Sequence, residues 1–212
     1  MIGLQRADYS SGVLLRKETL GDEDIQFNVQ ADHADENQHH QTAVTKRPGE
    51  GPTVEIADVR EKAGAAFIVN DRVDVAIASR ADGAHLGQDD FPIPLARKLL
   101  GEEAIIGGSA GNLEEARKCF LEGADYIGFG PVYFTTSKED AGPVSGRDLL
   151  KQVVKEIPLP IIAIGGLTKD NTLPVLQTGV HGIAVISAVC CQDDPSEAAK
   201  CLRHLLEVER HA

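Results

Sequence analysis

Two adjacent glycines, Gly165 and Gly166, form the part of this chain best suited to hold a charged ligand. They end an apolar run and precede a segment with helical spacing, so the first amides of that helix would face the same point. Glycine has no side chain to block a close ligand, and the helix dipole adds positive character. A second turn, at residues 185–188, includes Ile186 and the hydroxyl of Ser187. Together the two turns predict a phosphate-binding site. The alternative is that both are ordinary strand-to-helix turns, which are common in α/β proteins.

Carboxylates follow two consecutive apolar runs. Asn70 and Asp71 come directly after the first run, and Asp90 follows the second within Gln88-Asp89-Asp90. Loops that follow parallel strands form the functional face of a barrel, so we expect these side chains near one another. Carboxylate oxygens are the ligands that Mg²⁺ prefers, and substrate phosphates can complete its shell. We therefore predict Mg²⁺ at Asp71 and Asp90, with capping of the following helices as the alternative.

A serine and a lysine follow the next two apolar runs. Ser109 stands behind Gly107 and Gly108, where its hydroxyl can donate to an anion or serve as a turn residue. The segment 130–138 is rich in small hydroxyl side chains and ends at Lys138, its only cation. A lysine within reach of phosphate and metal neutralises the charge of a departing group. We predict that this segment closes over a charged substrate, with Lys138 and Ser109 as candidate catalytic residues.

Short apolar runs alternate with amphipathic segments from residue 65 onward, and this rhythm predicts βα units. The runs contain few polar residues, as in parallel strands that are covered on both faces. Asn112 is placed to cap the third helix, with Glu115 completing a capping box, and Asp194 and Pro195 begin the last one. The predicted strands are 66–69, 83–86, 104–106, 126–129, 161–164 and 183–186, and the predicted helices are 74–79, 94–100, 113–122, 147–156, 171–177 and 195–209. The pattern predicts an α/β fold of the (βα)8 TIM-barrel type.

The first 64 residues carry weaker signals than residues 65–212, although we expect the whole chain, 1–212, to form one TIM-barrel domain. Strands at 1–4 and 25–29 and helices at 11–20 and 54–63 would close the ring and leave its N-terminal quarter irregular. Between them, residues 30–51 are polar and lack apolar periodicity, which indicates a solvated loop. The alternatives are metal capture by the histidines of that segment and an open α/β sheet to which it contributes little.

Composition limits the classes of partner. The chain has 212 residues, 42% hydrophobic content and a formal charge of −12, which suits one core and disfavours a nucleic-acid backbone as partner. Its four cysteines lack zinc-ligand spacing and the density of a secreted scaffold, so we expect reduced thiols in the cytoplasm. No apolar run approaches the roughly 20 residues that span a bilayer. The expected partners are small phosphorylated molecules, without nucleic acid or membrane, and homo-oligomer formation stays open.

Two histidines lie inside or beside predicted strands. His85 and His181 are surrounded by small apolar residues, where a hydrogen-bonded structural imidazole is commoner than a catalytic one. We expect structural roles for both, and surface ion pairs for Arg72 and Arg80.

Four stretches of the chain resemble the thiamine-phosphate synthases, whose superfamily also contains a thiazole tautomerase. They are residues 67–74, 81–90, 123–132 and 163–166, in the family's order, so the resemblance spans about 65–195. It implies a barrel that couples hydroxymethylpyrimidine diphosphate with hydroxyethylthiazole phosphate, giving thiamine monophosphate and pyrophosphate. It also implies that no protein nucleophile is required, because the pyrimidine carbon–oxygen bond breaks to a stabilised cation that the thiazole nitrogen captures.

The resemblance also implies a role for each matching residue. Asp71 and Asp90 would bind Mg²⁺, the implied cofactor. Asn70 and Lys138 would contact the diphosphate, and Ser109 would lie beside the pyrimidine. The thiazole phosphate would be held by Thr135, Ser137, Gly166, Ile186 and Ser187. Metal and lysine would then stabilise the leaving group, while glycine amides hold the second reactant in position.

One family pattern is matched only in part. The family's diphosphate-binding strand ends in Gln-x-Arg-x-Lys, and alignment on Gln30 places Asp32 and Ala34 where the two cations belong. The replacement changes the local charge by about three units. Three hypotheses follow: an active synthase, a catalytically silent relative that binds thiazole phosphate or thiamine phosphate, and a thiazole tautomerase. The tautomerase would need a proton-transfer histidine near Gly111, and none stands there.

Overall fold

A ring of strands forms the centre of the molecule. The computed structural model of the chain describes residues 66–137 and 142–210, together with the backbone of two strands at 11–16 and 25–30. Hydrogen bonds join the strands of these residues in chain order, and the last strand pairs with the first, so the ring is closed. The strands are β1 (Ser11–Arg16), β2 (Ile25–Gln30), β3 (Phe67–Asn70), β4 (Gly83–Leu86), β5 (Ile105–Ala110), β6 (Tyr126–Phe129), β7 (Ile161–Ile164) and β8 (Gly182–Val185).

β1 runs in the opposite direction to the other strands of the ring. Each neighbouring pair from β2 to β8 is parallel, whereas β1 runs antiparallel to both β2 and β8. The predicted α/β class and parallel sheet are confirmed. A repeat of eight parallel βα units is not shown, because β1 reverses the direction.

The first predicted helix is wrong over residues 11–16, where the chain forms β1. Without this strand, β2 and β8 would each leave a row of backbone donors and acceptors unpaired. The residues Val13, Leu14 and Leu15 adopt an extended conformation, in which their backbone pairs with both β2 and β8. The predicted strand at 1–4, the helix at 54–63 and the polar loop beyond Gln30 lie outside the described residues.

Helices follow the parallel strands, as predicted. They are α1 (Val73–Ser79), α2 (Ile93–Leu100), α3 (Leu113–Leu121), α4 (Gly146–Glu156), α5 (Leu173–Leu176), α6 (Ser187–Cys190) and α7 (Pro195–Arg210). Six of them match the predicted helices to within two residues at either end, and α6 is a single turn that the sequence pattern did not predict. No helix among the described residues combines the length and apolar character needed to cross a bilayer.

The predicted caps are present. The Asn112 side chain accepts a hydrogen bond from the Glu115 N–H at 3.0 Å, as the cap prediction requires, while Glu115 accepts from the Gly111 N–H at 2.6 Å, one residue before the cap N–H that a capping box uses. At the start of α7, Asp194 accepts from the Glu197 N–H at 3.0 Å. These bonds satisfy amide donors that a helix leaves open in its first turn.

The core lies between the strands and the helices. Residues 67–69 of β3 and 161–163 of β7 are each at most 2% exposed, so both faces of these strands are covered. From the helical layer, α4 contributes Leu150 and Val153, which are fully buried. None of the four cysteines, all of which lie in the described part of the chain, is in a disulfide bond, and Cys119 is buried while the other three are exposed.

Side chains clamp the strands at the edge where they begin. The residues directly before β4, β6 and β8 each accept a hydrogen bond from an N–H of the preceding strand. The three bonds are Phe67 N to Asp82 Oδ2 at 2.7 Å, Ile106 N to Asp125 Oδ2 at 2.7 Å and Ile161 N to His181 Nδ1 at 3.2 Å. In return, the N–H of each clamping residue donates to the carbonyl of the same strand residue. The structural imidazole expected for His181 is therefore confirmed.

Arg97 of α2 extends one of these clamps. Its Nη2 donates to Asp125 Oδ2 at 2.6 Å and to the Gly123 carbonyl at 3.3 Å, and its Nη1 donates to the Ala104 carbonyl. The Arg97 side chain is 17% exposed and that of Asp125 is 47% exposed. One carboxylate therefore links β5, the start of β6 and α2.

Replacing Asp125 with alanine is expected to lower the free energy of unfolding by about 1–2 kcal/mol, because Arg97 and the Ile106 N–H lose their shared acceptor. Urea denaturation measures this change as a lower midpoint at constant slope. Asp74→Ala is the control, since it removes an exposed carboxylate that pairs with Arg72, and its midpoint should fall by less than that of Asp125→Ala. An unchanged midpoint for Asp125→Ala would contradict the clamp.

Candidate active site

The polar residues predicted from sequence gather at the edge where the parallel strands end. Asn70 is the last residue of β3, and its register partners are Gln30, the last residue of β2, and His85 of β4. The register continues from His85 to Gly107 and from Gly107 to Tyr126. These five positions form one layer of the ring, which brings residues from distant parts of the chain side by side.

Asp71 leaves the sheet in an unusual conformation. Its φ is 61°, in the left-handed region that non-glycine residues seldom occupy, and its N–H donates to the His85 carbonyl at 2.8 Å. Such backbone strain persists only where the surroundings hold it, and it concentrates at functional sites. Its backbone is therefore fixed at the boundary between β3 and β4.

Asp90 lies in the turn that follows the neighbouring strand, β4. Its Oδ2 accepts a hydrogen bond from the Gly87 N–H at 2.6 Å, and its side chain is exposed. Asp71 and Asp90 thus follow adjacent strand ends, as predicted. Among the described residues, no group of three or more His, Cys, Asp or Glu side chains forms a metal cage. Two carboxylates suit Mg²⁺, which keeps several waters and binds substrate phosphates as further ligands.

Ser109 is part of a hydrogen-bonded network that includes His85 and Tyr126. The Ser109 hydroxyl lies 2.9 Å from His85 Nε2, and the other ring nitrogen, Nδ1, lies 3.0 Å from the Tyr126 hydroxyl. Tyr126 is buried, and His85 and Ser109 are half-buried. His85 is hydrogen-bonded, as expected, but its partner is the candidate catalytic serine. It therefore fixes the orientation of the Ser109 side chain.

Two glycines make room for this network. An added Cβ at Gly107 would overlap both the His85 ring and the Tyr126 ring, and one at Gly128 would lie 3.0 Å from His85 Cε1. Gly107 stands between His85 and Tyr126 in the register of the ring. Because this middle position has no side chain, the two rings meet across it with their centroids 5.4 Å apart.

The glycine turn after β7 packs tightly against the segment after β6. Gly165 and Gly166 have φ values of 95° and 64°. An added Cβ at Gly165 would lie 2.5 Å from Pro131 Cα, and one at Gly166 would overlap the Phe134 carbonyl oxygen. The Tyr133 N–H also donates to the Gly165 carbonyl at 3.1 Å. The two glycines are thus required for the packing of this turn against the segment after β6.

Asn171 completes the glycine turn. Its Oδ1 accepts from the Thr168 N–H at 2.8 Å, and its Nδ2 donates to the Gly166 carbonyl at 2.9 Å. These two bonds fix the path of residues 166–168. The sequence did contain a signal for this role, since asparagine often bonds to a nearby backbone group in a turn.

The remaining candidates flank this turn on two sides. Thr135 directly follows Phe134, whose carbonyl contacts Gly166, and its hydroxyl accepts from the Ser137 N–H at 3.2 Å. Ile186 and Ser187 follow β8, and Ser187 is the exposed first residue of α6. The first amides of a helix have no partner within it, so they are available to an anion. Lys138 lies outside the described residues.

Arg72 does not replace the two cations of the family pattern at positions 32 and 34, because its side chain is engaged in an ion pair. Its Nε and Nη2 donate to the two oxygens of Asp74, at 2.8 and 2.5 Å, which confirms the expected surface pair. The Arg72 guanidinium lowers the pKa of Asp74 to about 2. A lowered carboxyl pKa means that the pair persists at neutral pH and is lost only as the pH falls toward that value.

Comparisons with known proteins give a consistent result. Residues 46–189 match the family model described as thiamine monophosphate synthase. A thiamine-phosphate synthase of Methanocella arvoryzae is 50% identical over 157 residues, which are 74% of this chain and 74% of that protein. One from Chloroflexus aurantiacus is 48% identical over 155 residues, 73% of this chain and 71% of that protein. The solved thiamine phosphate pyrophosphorylase of Pyrococcus furiosus superposes with a TM-score of 0.67 at 42% identity, covering 76% of this chain and 80% of that one.

Gly166→Ala is expected to weaken binding of a phosphate monoester by about tenfold, because the added methyl group moves the Phe134 carbonyl and the turn amides apart. Calorimetric titration measures the affinity. Gly123→Ala is the matched control, since Gly123 also has a positive φ, 88°, but an added Cβ meets nothing within 4 Å. It imposes similar backbone strain at a remote position and should keep the affinity. Equal affinities for both variants would rule out the glycine turn as the binding site.

Proposed function

The chain belongs to the thiamine monophosphate synthase family, and we propose that it joins hydroxymethylpyrimidine diphosphate to hydroxyethylthiazole phosphate. The products are thiamine monophosphate and pyrophosphate. The observation that carries this proposal is the family match over residues 46–189. The positions of Asn70 at the end of β3, Asp71 directly after it, Asp90 in the turn after β4 and Ser109 near the end of β5 support it.

The reaction makes one bond and breaks one bond. The carbon–oxygen bond of the pyrimidine breaks, and its electron pair leaves with pyrophosphate. The lone pair of the thiazole nitrogen then forms the new carbon–nitrogen bond. Because neither step needs a protein nucleophile, the protein contributes by holding the two reactants in line and by stabilising charge on the leaving group.

Residues after β2, β3 and β4 are proposed to hold the diphosphate. Asp71 and Asp90 provide carboxylate oxygens for Mg²⁺, which when bound offsets negative charge on the leaving group. Asn70 and Gln30, which are register partners at adjacent strand ends, contact the diphosphate from one side. Lys138, which lies outside the described residues, is proposed to contact the diphosphate as well.

Ser109 is proposed to lie beside the pyrimidine and its developing positive charge. The bond between its hydroxyl and His85 Nε2 holds the oxygen in one orientation, at 2.9 Å. A neutral imidazole carries a proton on one nitrogen only, so the hydrogen bond with Tyr126 at Nδ1 influences which partner His85 donates to. The network thereby sets whether the Ser109 oxygen offers a lone pair or a proton to the substrate.

The second reactant is proposed to bind by its phosphate at the turns after β7 and β8. Gly166 and the first amides of α6 donate to phosphate oxygens, and Ile186 and Ser187 bring those amides to the site. Thr135 and Ser137 add hydroxyl groups from the segment that packs against Gly166. This arrangement separates the monophosphate of one reactant from the diphosphate of the other by the width of the ring.

A catalytically silent binding protein is the second candidate function. Asp32 and Ala34 stand where the family pattern has arginine and lysine, and both lie outside the described residues. Arg72 does not compensate, because it is paired with Asp74. A silent relative would bind the thiazole phosphate and fail to bind the pyrimidine diphosphate.

Incubation of the purified protein with both substrates and Mg²⁺ tests the two candidates. The synthase is expected to release pyrophosphate and form thiamine monophosphate, measured by a coupled phosphate assay and chromatography. Binding of the thiazole phosphate without product formation would instead identify the silent relative.

Asp71→Asn is expected to raise the Mg²⁺ concentration for half-maximal activity by about 10–100-fold, because a ligating charge is lost. Asparagine tolerates the left-handed conformation as aspartate does, so the fold should be retained. Asp148→Asn, at an exposed position in α4, is the control for loss of one negative charge. Identical Mg²⁺ dependence in Asp71→Asn and Asp148→Asn would remove Asp71 from the metal site.

The double substitution Asp32→Arg with Ala34→Lys is expected to lower the KM for the pyrimidine diphosphate by about tenfold or more, because it restores about three units of charge beside the diphosphate. The KM for the thiazole phosphate should not change. Steady-state kinetics at low ionic strength measure both values. Parallel changes in the two KM values would indicate a general effect of charge and contradict this placement.

A further inference from the structure

Gln88 connects the loop after β4 to β5 through its side-chain amide. Its Nε2 donates to the carbonyl oxygen of Ser109 at 2.7 Å, and its Oε1 accepts from Lys118 Nζ at 3.1 Å. The side chain is half-buried. Both ends of the amide are therefore in use, and the shorter bond is the one that leads to the site.

The turn that contains Gln88 also contains Asp90. The Asp90 carboxylate accepts from the Gly87 N–H at 2.6 Å, and the Asp90 N–H donates back to the Gly87 carbonyl at 3.4 Å. Residues 87–90 therefore form a closed turn. The side chain of Gln88 connects this turn to the neighbouring strand, β5.

Ser109, whose carbonyl accepts the hydrogen bond from Gln88, is also held by contacts with His85 and Cys119. Its hydroxyl is bonded to His85, and its carbonyl also lies 3.5 Å from the Cys119 sulfur. Burial raises the pKa of the Cys119 thiol, which keeps it protonated and able to donate weakly to that carbonyl. Ser109 is thus a fixed point, and the turn of Asp90 is positioned relative to it.

We propose that Gln88 is a positioning residue that sets the distance between the Asp90 carboxylate and Ser109. This inference rests on the proposed function, in which Asp90 holds the metal ion of the leaving group and Ser109 lies beside the pyrimidine carbon. The bond that breaks joins these two regions. A turn free to move relative to β5 would hold the diphosphate in several positions, of which only some align with the thiazole nitrogen.

The hydrogen bond from Gln88 to the Ser109 carbonyl requires a side-chain amide at the distance from the backbone that glutamine provides. Methionine has a similar length but cannot donate to the Ser109 carbonyl. Asparagine keeps the amide but is shorter by one methylene, so it cannot bridge the same gap without moving the turn. Lys118 contacts only the opposite end of the amide, and its side chain is exposed, so its removal leaves the Ser109 bond intact.

The test compares Gln88→Met and Gln88→Asn with two controls, Lys118→Met and Gln152→Met. Gln152 is an exposed glutamine of α4 whose amide bonds to Glu156 at 2.9 Å, so it matches the chemical change at a remote position. Three quantities are measured for each variant: the affinity for Mn²⁺ in the presence of pyrophosphate by electron paramagnetic resonance, the Mg²⁺ concentration for half-maximal activity, and the amide hydrogen exchange of residues 87–90.

Both Gln88 variants are expected to bind Mn²⁺ about tenfold more weakly, as is typical when a residue that orients a metal ligand is removed. They should also need a correspondingly higher Mg²⁺ concentration and exchange the amides of residues 87–90 faster. The KM for the thiazole phosphate should stay constant, which a general loss of structure would not produce. Both controls should behave as the parent protein does.

Unchanged Mn²⁺ affinity in either Gln88 variant would overturn the inference, as would an equal loss in Lys118→Met. The proposed function fails separately, if the parent protein binds Mn²⁺ with pyrophosphate but forms no thiamine monophosphate. In that event the Mn²⁺ and exchange measurements still decide whether Gln88 positions the turn.

Discussion

Parallel hydrogen bonding in register is the constraint on which the site depends. Strands that run in the same direction deliver the residues at their ends to one edge of the ring. The pairing connects Gln30 to Asn70, Asn70 to His85, His85 to Gly107 and Gly107 to Tyr126. A shift of one residue at any of these pairings would turn alternate side chains to the other face. The network at His85 therefore exists only because several separate pairings agree.

From residue 66 onward the sequence predicted every strand and all helices except α6 among the described residues, although β5 extends to Ala110 and not only to residue 106, because two signals coincide there. Apolar runs short enough for strands alternate with segments of helical spacing, and caps such as Asn112 mark where the helices begin. At residues 11–16 the local signal was ambiguous, and the unpaired edges of β2 and β8 determined the outcome. This requirement arises from the closed ring and cannot be read from six residues of sequence.

The sequence predicted that several polar residues stand at or near strand ends, as the structure shows, but it did not predict their contacts. Residues near the ends of strands, such as Asp71 and Ser109, can be selected from sequence because strand ends share an edge, although Ser109 lies within β5 and not after it as predicted. The bond from Gln88 to the Ser109 carbonyl joins residues 21 positions apart and depends on where a turn folds back onto the neighbouring strand. His85 was correctly expected to be hydrogen-bonded, but its partners follow from the absence of a side chain at Gly107.

The two edges of the ring differ in how their backbone N–H groups are used. Where the strands begin, carboxylate and imidazole side chains before β4, β6 and β8 accept strand N–H groups, so these polar groups are engaged within the protein. Where the strands end, the first amides of α6 have no partner within the helix, and the proposed function assigns them to a phosphate. Such donors would destabilise the fold if they were buried without a partner. Under the proposed function, the hydrogen bonds that clamp the strands where they begin stabilise the same strands whose opposite ends would bind the ligand.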